Sequence, residues 1–338
     1  MAHAMRVSRR SLIKGAAVAA AAGSMAACGT ALAADEPNRV CEILGIEKPV
    51  IQAFMSGLTS PELCAAVSNA GGMGIIGMPS QEDLQTVKSL TDKPFCVGFY
   101  GYDADTMKML QDEGVSIVFV LGQGSKANDY AVETDTIKNL KDNGFTVIYR
   151  DVNTTVPALV AAQDAGADIV VASGYGQGGH MTETRITLAT MLTEARPQIT
   201  VPLMASGCIV DAATAAAAAA AGAEGAYVGT RFNASEESPC SDYAKQVIVD
   251  SRAEDLVEWR ASVGFVRAND CQFSRECEEM ANGGATAGEL AEKYMGMFAA
   301  MRMGDESMPV GMNDAVNSIT SLKTCQEIVD DIAAGFTA

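Results

Sequence analysis

From residue 48 onward the chain alternates short apolar runs with amphipathic or alanine-rich stretches, and this constrains the fold more than any other feature. The runs at Pro49–Ala53, Gly74–Ile76, Phe95–Phe99, Ser116–Leu121, Thr146–Tyr149, Asp168–Ala172, Pro202–Ala205 and Gly225–Val228 are mostly continuous and β-branched, as strands buried on both faces are. Between them, Ser60–Asn69, Gln81–Leu90, Asp103–Asp112, Asp135–Asn143, Val156–Ala165, Leu188–Ala195 and Ala212–Ala221 read as helices. Ser60-Pro61-Glu62 supplies an N-cap followed by proline at the first helical position. Ala70-Gly71, Ala165-Gly166 and Ala221-Gly222 sit where helices end on left-handed backbone. Eight such units in about 180 residues predict a (β/α)8 barrel. A doubly wound sheet fits less well, because Gly71-Gly72-Met73-Gly74 precedes a strand and lacks the G-x-G-x-x-G spacing of a dinucleotide loop. The alanine run Ala215–Ala221 reads as a helix packed closely against the barrel. Arg231–Ala338 is too long for a last barrel helix alone; it predicts a lid or small helical subdomain at about 250–310, then a closing helix near Ser321–Ala334.

Residues 1–33 read as an export signal outside the fold. Ser8-Arg9-Arg10-Ser11-Leu12-Ile13-Lys14 resembles the twin-arginine (Tat) motif of bacterial signals, and a small apolar run from Ala16 to Ala27 follows. That run is too short and too alanine-rich for a spanning helix, which needs about 20 strongly apolar residues. Ala31-Leu32-Ala33 offers a cleavage site before Ala34, while Met25-Ala26-Ala27-Cys28 resembles a weak lipobox, so a lipid anchor on Cys28 is the alternative. The expected location is periplasmic or otherwise extracytoplasmic, with the Tat translocase as partner during export.

Charge and side-chain counts exclude several function classes. The formal net charge is −18, and without residues 1–33 there are 20 basic against 42 acidic side chains, or −22. Such a surface repels phosphate backbones, which argues against nucleic-acid binding. Of the two histidines, His3 lies in the leader, leaving His180 as the one imidazole of the mature chain. Multi-histidine metal sites are therefore excluded, and no metal is expected. The nine cysteines form no C-x-x-C pair, so zinc-ribbon and thioredoxin readings fail. Cys271 and Cys277 are spaced so that they could bridge in an oxidising compartment; otherwise they are small buried residues.

In a barrel, chemistry sits at the C-terminal ends of the strands. After the sixth strand comes Ser173-Gly174-Tyr175-Gly176-Gln177-Gly178-Gly179-His180, after the seventh Ser206-Gly207-Cys208-Ile209, and after the eighth Gly229-Thr230-Arg231-Phe232. The last two are small-residue loops entering helices, where backbone N–H groups and the helix field suit an anion; this is the usual phosphate position of the fold. A phosphate-bearing ligand follows. His180 comes after four glycines in seven residues, leaving room beside it for a flat ring, and its pKa range suits a proton donor or acceptor.

Pro49-Val50-Ile51-Gln52-Ala53-Phe54-Met55, Val67-Ser68-Asn69-Ala70-Gly71-Gly72-Met73-Gly74, Lys93-Pro94-Phe95, Gly166-Ala167-Asp168, Gly178-Gly179-His180, Ala205-Ser206-Gly207-Cys208-Ile209 and Gly229-Thr230-Arg231-Phe232 occur in order. Together they resemble the nitronate monooxygenase family, formerly 2-nitropropane dioxygenases, in the superfamily shared with FMN-dependent enoyl-ACP reductases. The resemblance runs from about residue 40 to residue 335. It implies an FMN-binding barrel, with Ala53, Phe54 and Met55 along the flavin and Gly178, Gly207, Gly229 and Thr230 lining it, the last three near its phosphate. Ser173, Ser206 and Cys208, in the same strand-end segments, complete the expected cofactor-binding set, and His180 matches the family's active-site histidine. The sequence departs from the family at three places. Gly176-Gln177 stands for the usual Glu-Ala, Cys208 for a second glycine, and Gly98 for an asparagine after the third strand. The implied activity is oxidation of alkyl nitronates with O2 to a carbonyl compound and nitrite, His180 abstracting the α-proton of neutral nitroalkanes. The alternative is an ene-reductase drawing on NAD(P)H or another donor, and a third class is a non-catalytic flavin-binding or electron-transfer protein.

Overall fold

The computed structural model describes residues 37–55, 57–122, 131–261 and 264–337; the expected export signal, with Arg9, Arg10 and Cys28, lies outside the described residues. Eleven strands occur among them: β1 (Val50–Gln52), β2 (Gly74–Gly77), β3 (Phe95–Phe99), β4 (Ile117–Gly122), β5 (Thr146–Asp151), β6 (Ile169–Ser173), β7 (Gly179–Met181), β8 (Leu203–Ser206), β9 (Gly225–Val228), β10 (Val257–Arg260) and β11 (Phe265–Ala268). Eight of them, β1–β6, β8 and β9, pair in parallel in the order β1-β9-β8-β6-β5-β4-β3-β2. The ring closes where Met73 N donates to Val50 O at 2.9 Å and Gln52 N to Met73 O at 3.0 Å. The expected (β/α)8 barrel is therefore present, its strands within two residues of the sequence boundaries.

Alternation along each strand sorts the side chains into two layers. Ile51, Ile75, Phe119, Ile148, Val171, Met204 and Tyr227 fill the barrel interior, with the Phe119 and Tyr227 rings stacked at 5.3 Å. Val50, Ile76, Val118, Val147, Val170, Leu203 and Ala226 face the surrounding helices. Truncating Phe119 to alanine would leave a hole at the barrel axis and cost about 3–5 kcal/mol. Gly71, Gly166 and Gly222 take the left-handed backbone (φ 89°, 105° and 102°) expected of helix ends. The alanine helix, Ala212–Ala220, lets the closing helix Cys325–Ala334 approach so nearly that a Cβ on Gly335 would stand 2.4 Å from Ala212 O. A short helix at Arg39–Leu44, capped by Asn38, plugs the barrel with Val40 and Leu44 at the end opposite the strand C-termini.

The lid departs from the helical expectation. It contains helices Asp242–Asp250, Gln272–Asn282, Ala287–Tyr294 and Met297–Met303, but they surround a three-stranded antiparallel sheet ordered β10-β11-β7. Two of its strands, Val257-Glu258-Trp259-Arg260 and Phe265-Val266-Arg267-Ala268, are only four residues long and carry charges, so neither stands out as an apolar run. The third strand contains His180, which the sequence placed in a loop. Cys271 and Cys277 are free thiols, Cys277 buried in the lid core and Cys271 at the start of helix Gln272–Asn282.

Candidate active site

A cavity of about 540 Å³ opens at the C-terminal ends of the barrel strands, within the size range of small-molecule sites. Of the candidate site residues, Ala53, Phe54, Met55, Gly178, His180, Ser206, Gly207, Cys208, Gly229 and Thr230 line it. Ser173 is not among its lining residues; at the end of β6 its hydroxyl accepts a hydrogen bond from Arg150 Nε at 2.9 Å, which makes it a support for that guanidinium.

The segment after β1 is fixed from the barrel axis. Ala53 N donates to Val228 O at 2.8 Å, and Phe54 N donates to the Tyr227 hydroxyl at 2.7 Å. The Phe54 ring then lies over β2 and β3, where a Cβ on Gly77 would meet it at 2.4 Å and one on Gly98 at 2.8 Å. Gly98, one of the three departures, thus leaves the space that this ring fills.

The two expected phosphate loops differ. The helix after β8 is capped internally, since Asp211 accepts from Thr214 N at 2.8 Å. Its first turn is therefore occupied, and only the loop itself, bent by positive φ at Gly207 (99°) and Cys208 (59°), faces the cavity. The short helix Thr230–Asn233 after β9 has no side-chain cap. Asn233, at the other end of this helix, is buried, and its Oδ1 has no hydrogen-bond partner among the described residues. A phosphate is suited to the Gly229-Thr230 side, where both residues line the cavity and the first turn, without a side-chain cap, offers backbone N–H groups.

His180 reaches the cavity from the lid sheet. In the β7–β11 ladder it pairs with Val266, and its ring lies against Phe298 (5.8 Å) and Tyr294 (6.0 Å). Burial, and then the positive charge of Arg150, push its pKa below the ordinary value, so the imidazole is neutral at pH 7 and able to accept a proton. Arg267, 3% exposed, ties the histidine segment to the lid: it pairs with Glu258 and Asp314 and donates to the carbonyl of Gln177 at 3.0 Å. Tyr175 donates to the other Glu258 oxygen at 2.5 Å. Gly178 is glycine because the chain at Met312 passes over it; a Cβ there would lie 1.9 Å from the Met312 carbonyl carbon.

Arg150 is the residue that sequence reasoning missed. At the end of β5 its guanidinium stands over the Tyr227 ring at 5.8 Å and donates to Gln177 Oε1 at 2.6 Å. It makes no ion pair among the described residues, and it is the only Asp, Glu, Lys or Arg among the described residues of the cavity wall. Its signal was present: a cation one residue beyond a buried apolar run, at the catalytic end of a barrel strand. Among the described residues the cavity wall thus offers one cation and no carboxylate, with a donor-rich loop at one side and a neutral imidazole at the other. An anionic, flat, phosphate-bearing cofactor such as FMN fits this donor set.

Barrel, rim loops and mouth histidine together define an oxidoreductase of the kind that holds a flavin at the strand ends. The family model described as nitronate monooxygenase matches residues 38–335, and the chain belongs to that family. A probable nitronate monooxygenase of Staphylococcus saprophyticus is 29% identical over 265 residues, covering 65% of this chain and 74% of that protein. One from Staphylococcus aureus is 26% identical over 286 residues, covering 72% and 81%. Among solved structures, FabK from Thermotoga maritima matches with a TM-score of 0.78 and 31% identity over 89% of this chain and 96% of that one. A nitroalkane oxidase from Streptomyces ansochromogenes shares the fold, with a TM-score of 0.69 at 22% identity over 88% and 97%. The protein is an FMN-dependent oxidoreductase.

Proposed function

We propose that this enzyme oxidises small alkyl nitronates with O2, giving a carbonyl compound and nitrite, and that it does so outside the cytoplasm. The observation that carries this reading is that Arg150 and His180 line one cavity whose described residues include no carboxylate. FMN, when bound, supplies the electron transfer between nitronate and O2. The protein supplies the rest. Arg150 offers a fixed positive charge to an anionic substrate. His180, kept neutral by burial and by Arg150, takes the α-proton when the substrate arrives as a neutral nitroalkane. Phe298, Met55 and Leu58 give the cavity an apolar flank that suits an alkyl group and limits water.

The same cation beside an imidazole would also stabilise an enolate oxygen, which favours an ene-reductase as the second reading. Anaerobic mixing separates the two. Flavin bleaching by ethyl nitronate, with none by NADH, is the expected result; bleaching by NADH and reoxidation by an enoyl thioester would replace the first reading with the second. A flavin-loaded protein inert to all three would leave the electron-transfer class.

Export rests on Arg9-Arg10 and the apolar run behind them. Replacing both arginines by lysine is expected to retain the protein in the cytoplasm; unchanged delivery would refute the Tat reading. Mass spectrometry of the mature protein distinguishes cleavage before Ala34 from acylation at Cys28.

A further inference from the structure

We propose that Phe298 sets the size of the alkyl group this enzyme accepts, its ring forming the wall of the substrate space beside His180. The proposal deepens the nitronate reading and rests on it, because it takes a substrate with an anionic end and a hydrocarbon end.

Space is short at the mouth. The cavity of about 540 Å³ must hold FMN as well as substrate. A site of roughly 300–1,000 Å³ is filled by a single drug-sized ligand, so FMN takes most of the room and the side chain next to the imidazole decides what else fits. Two aromatic rings lie against His180. Tyr294, 7% exposed, belongs to the lid core and is not among the cavity-lining residues. Phe298 lines the cavity together with His180 and is only half buried. The other aromatic residues of the wall among those described, Phe54, Tyr100 and Tyr227, stand on the barrel side, after β1, after β3 and in β9.

The ring is braced from two directions. Its helix, Met297–Met303, lies between Gly296 and Gly304, both on left-handed backbone (φ 87° and 73°), and buries Met297, Ala300 and Met301 in the lid. Gly296, Phe298 and Ala299 are left at the cavity. Near the helix's other end, Ser241 N donates to Met301 O at 2.9 Å, which ties it to the start of helix Asp242–Asp250. The ring tip rests on bare backbone. A Cβ on Gly179 would stand 3.3 Å from Phe298 Cε1 and 3.4 Å from Cζ, and one on Gly311 would stand 3.5 Å from Cε1. Both glycines line the cavity, so the ring tip lies between two residues of the wall and beside a third, His180. Met55 and Leu58 join the same apolar cluster. A substrate whose α-carbon meets His180 thus turns its hydrocarbon end toward a braced apolar surface.

Straight-chain carboxylates from acetate to octanoate serve as the probe, being unreactive planar anions of nitronate shape. Their binding to flavin-loaded wild type, Phe298→Ala and Phe298→Leu is followed in the flavin spectrum, beside kcat/KM for the nitronates of nitroethane and 1-nitrohexane. Wild type should prefer the short members. Phe298→Ala should move the long-to-short ratio at least ~10-fold toward the long ones, since two newly buried methylenes are worth about fourfold each. Phe298→Leu should fall between. A ring that only joins the lid clusters would lower stability and leave the ratio alone, so folded, FMN-loaded variants within about threefold of the wild-type ratio overturn the proposal. A wild type that binds or oxidises all lengths equally also overturns it. Should neither variant fold, the wild-type holoenzyme crystallised with butyrate decides: chain carbons within about 4.5 Å of the Phe298 ring support the assignment, and a chain directed elsewhere overturns it. Failure of the nitronate reading is distinguishable. A wild type that binds carboxylates and oxidises no nitronate refutes that reaction while its carboxylate ratios still test Phe298, and one that does neither overturns both.

Discussion

The two sides of the mouth are built differently. The side that suits the cofactor phosphate belongs to the barrel: Gly207 and Gly229 follow directly on β8 and β9, whose strands are fully buried. The side that carries His180 belongs to the lid, held by the β7–β11 ladder and the Arg267 cluster. Cofactor retention and proton transfer are thus supported by separate sets of contacts, and each should fail without the other.

The largest expected effect lies on the barrel side. Gly229→Asp should weaken FMN binding at least ~10³-fold, since like charges about 4 Å apart near a protein surface repel by roughly 4 kcal/mol. Gly229→Ala should bind within about threefold of wild type, because a Cβ there meets only Met55 Sδ at 3.5 Å and Ala53 Cβ at 3.7 Å, ordinary contacts. Titration of apoprotein with FMN measures both, and equal losses would show that shape rather than charge governs the loop. On the lid side, His180→Asn should leave FMN bound and lower oxidation of neutral nitroalkanes by roughly 10²–10⁴-fold. Oxidation of a preformed nitronate should fall much less. Equal losses on the two substrates would make His180 a positioning residue, and no loss at all would end its catalytic assignment.

Arg267→Met sharpens the comparison further. It leaves Glu258 and Asp314 without their cation and should destabilise the protein by about 3 kcal/mol. FMN affinity should stay near wild type while kcat falls. A parallel loss of FMN would mean that the two sides are not separable. The smallest effect is in pH. With His180 as the proposed base and its pKa lowered, activity on nitroalkanes should persist below pH 6.5 and fall only as pH drops through that lowered pKa. Arg150→Met removes a positive neighbour, which raises the imidazole pKa, and the acid limb should move to higher pH. A limb that stayed in place would show that burial alone sets it.

The barrel was legible because its strands are buried on both faces and interrupted by capped helices; β3 and β9 fall on the residues expected. The lid sheet was not, because β10 and β11 are short and charged, and the pairing of β11 with β7 spans from residue 181 to residue 265. Local pattern carries no signal for contacts at that separation. At the site, glycine loops and the lone histidine are visible as composition. Arg150 and Gln177 act through a shared hydrogen bond 27 positions apart, which appears only when β5 and the segment after β6 lie side by side. Gly176 and Cys208 looked like independent departures, yet each occupies the room the other leaves.

The register Gly179–Arg267, His180–Val266 and Met181–Phe265 has a mechanical consequence. A flap that swung away from the barrel would drag the imidazole with it, because the two are stitched through main-chain hydrogen bonds. Tyr100, half exposed on the cavity rim after β3, is not part of that seam. For anyone recombining barrels of this type, the hairpin 257–268 and the stretch 175–181 form a single heritable cassette. A chimera that takes one from each parent would be expected to keep its colour and misplace its base.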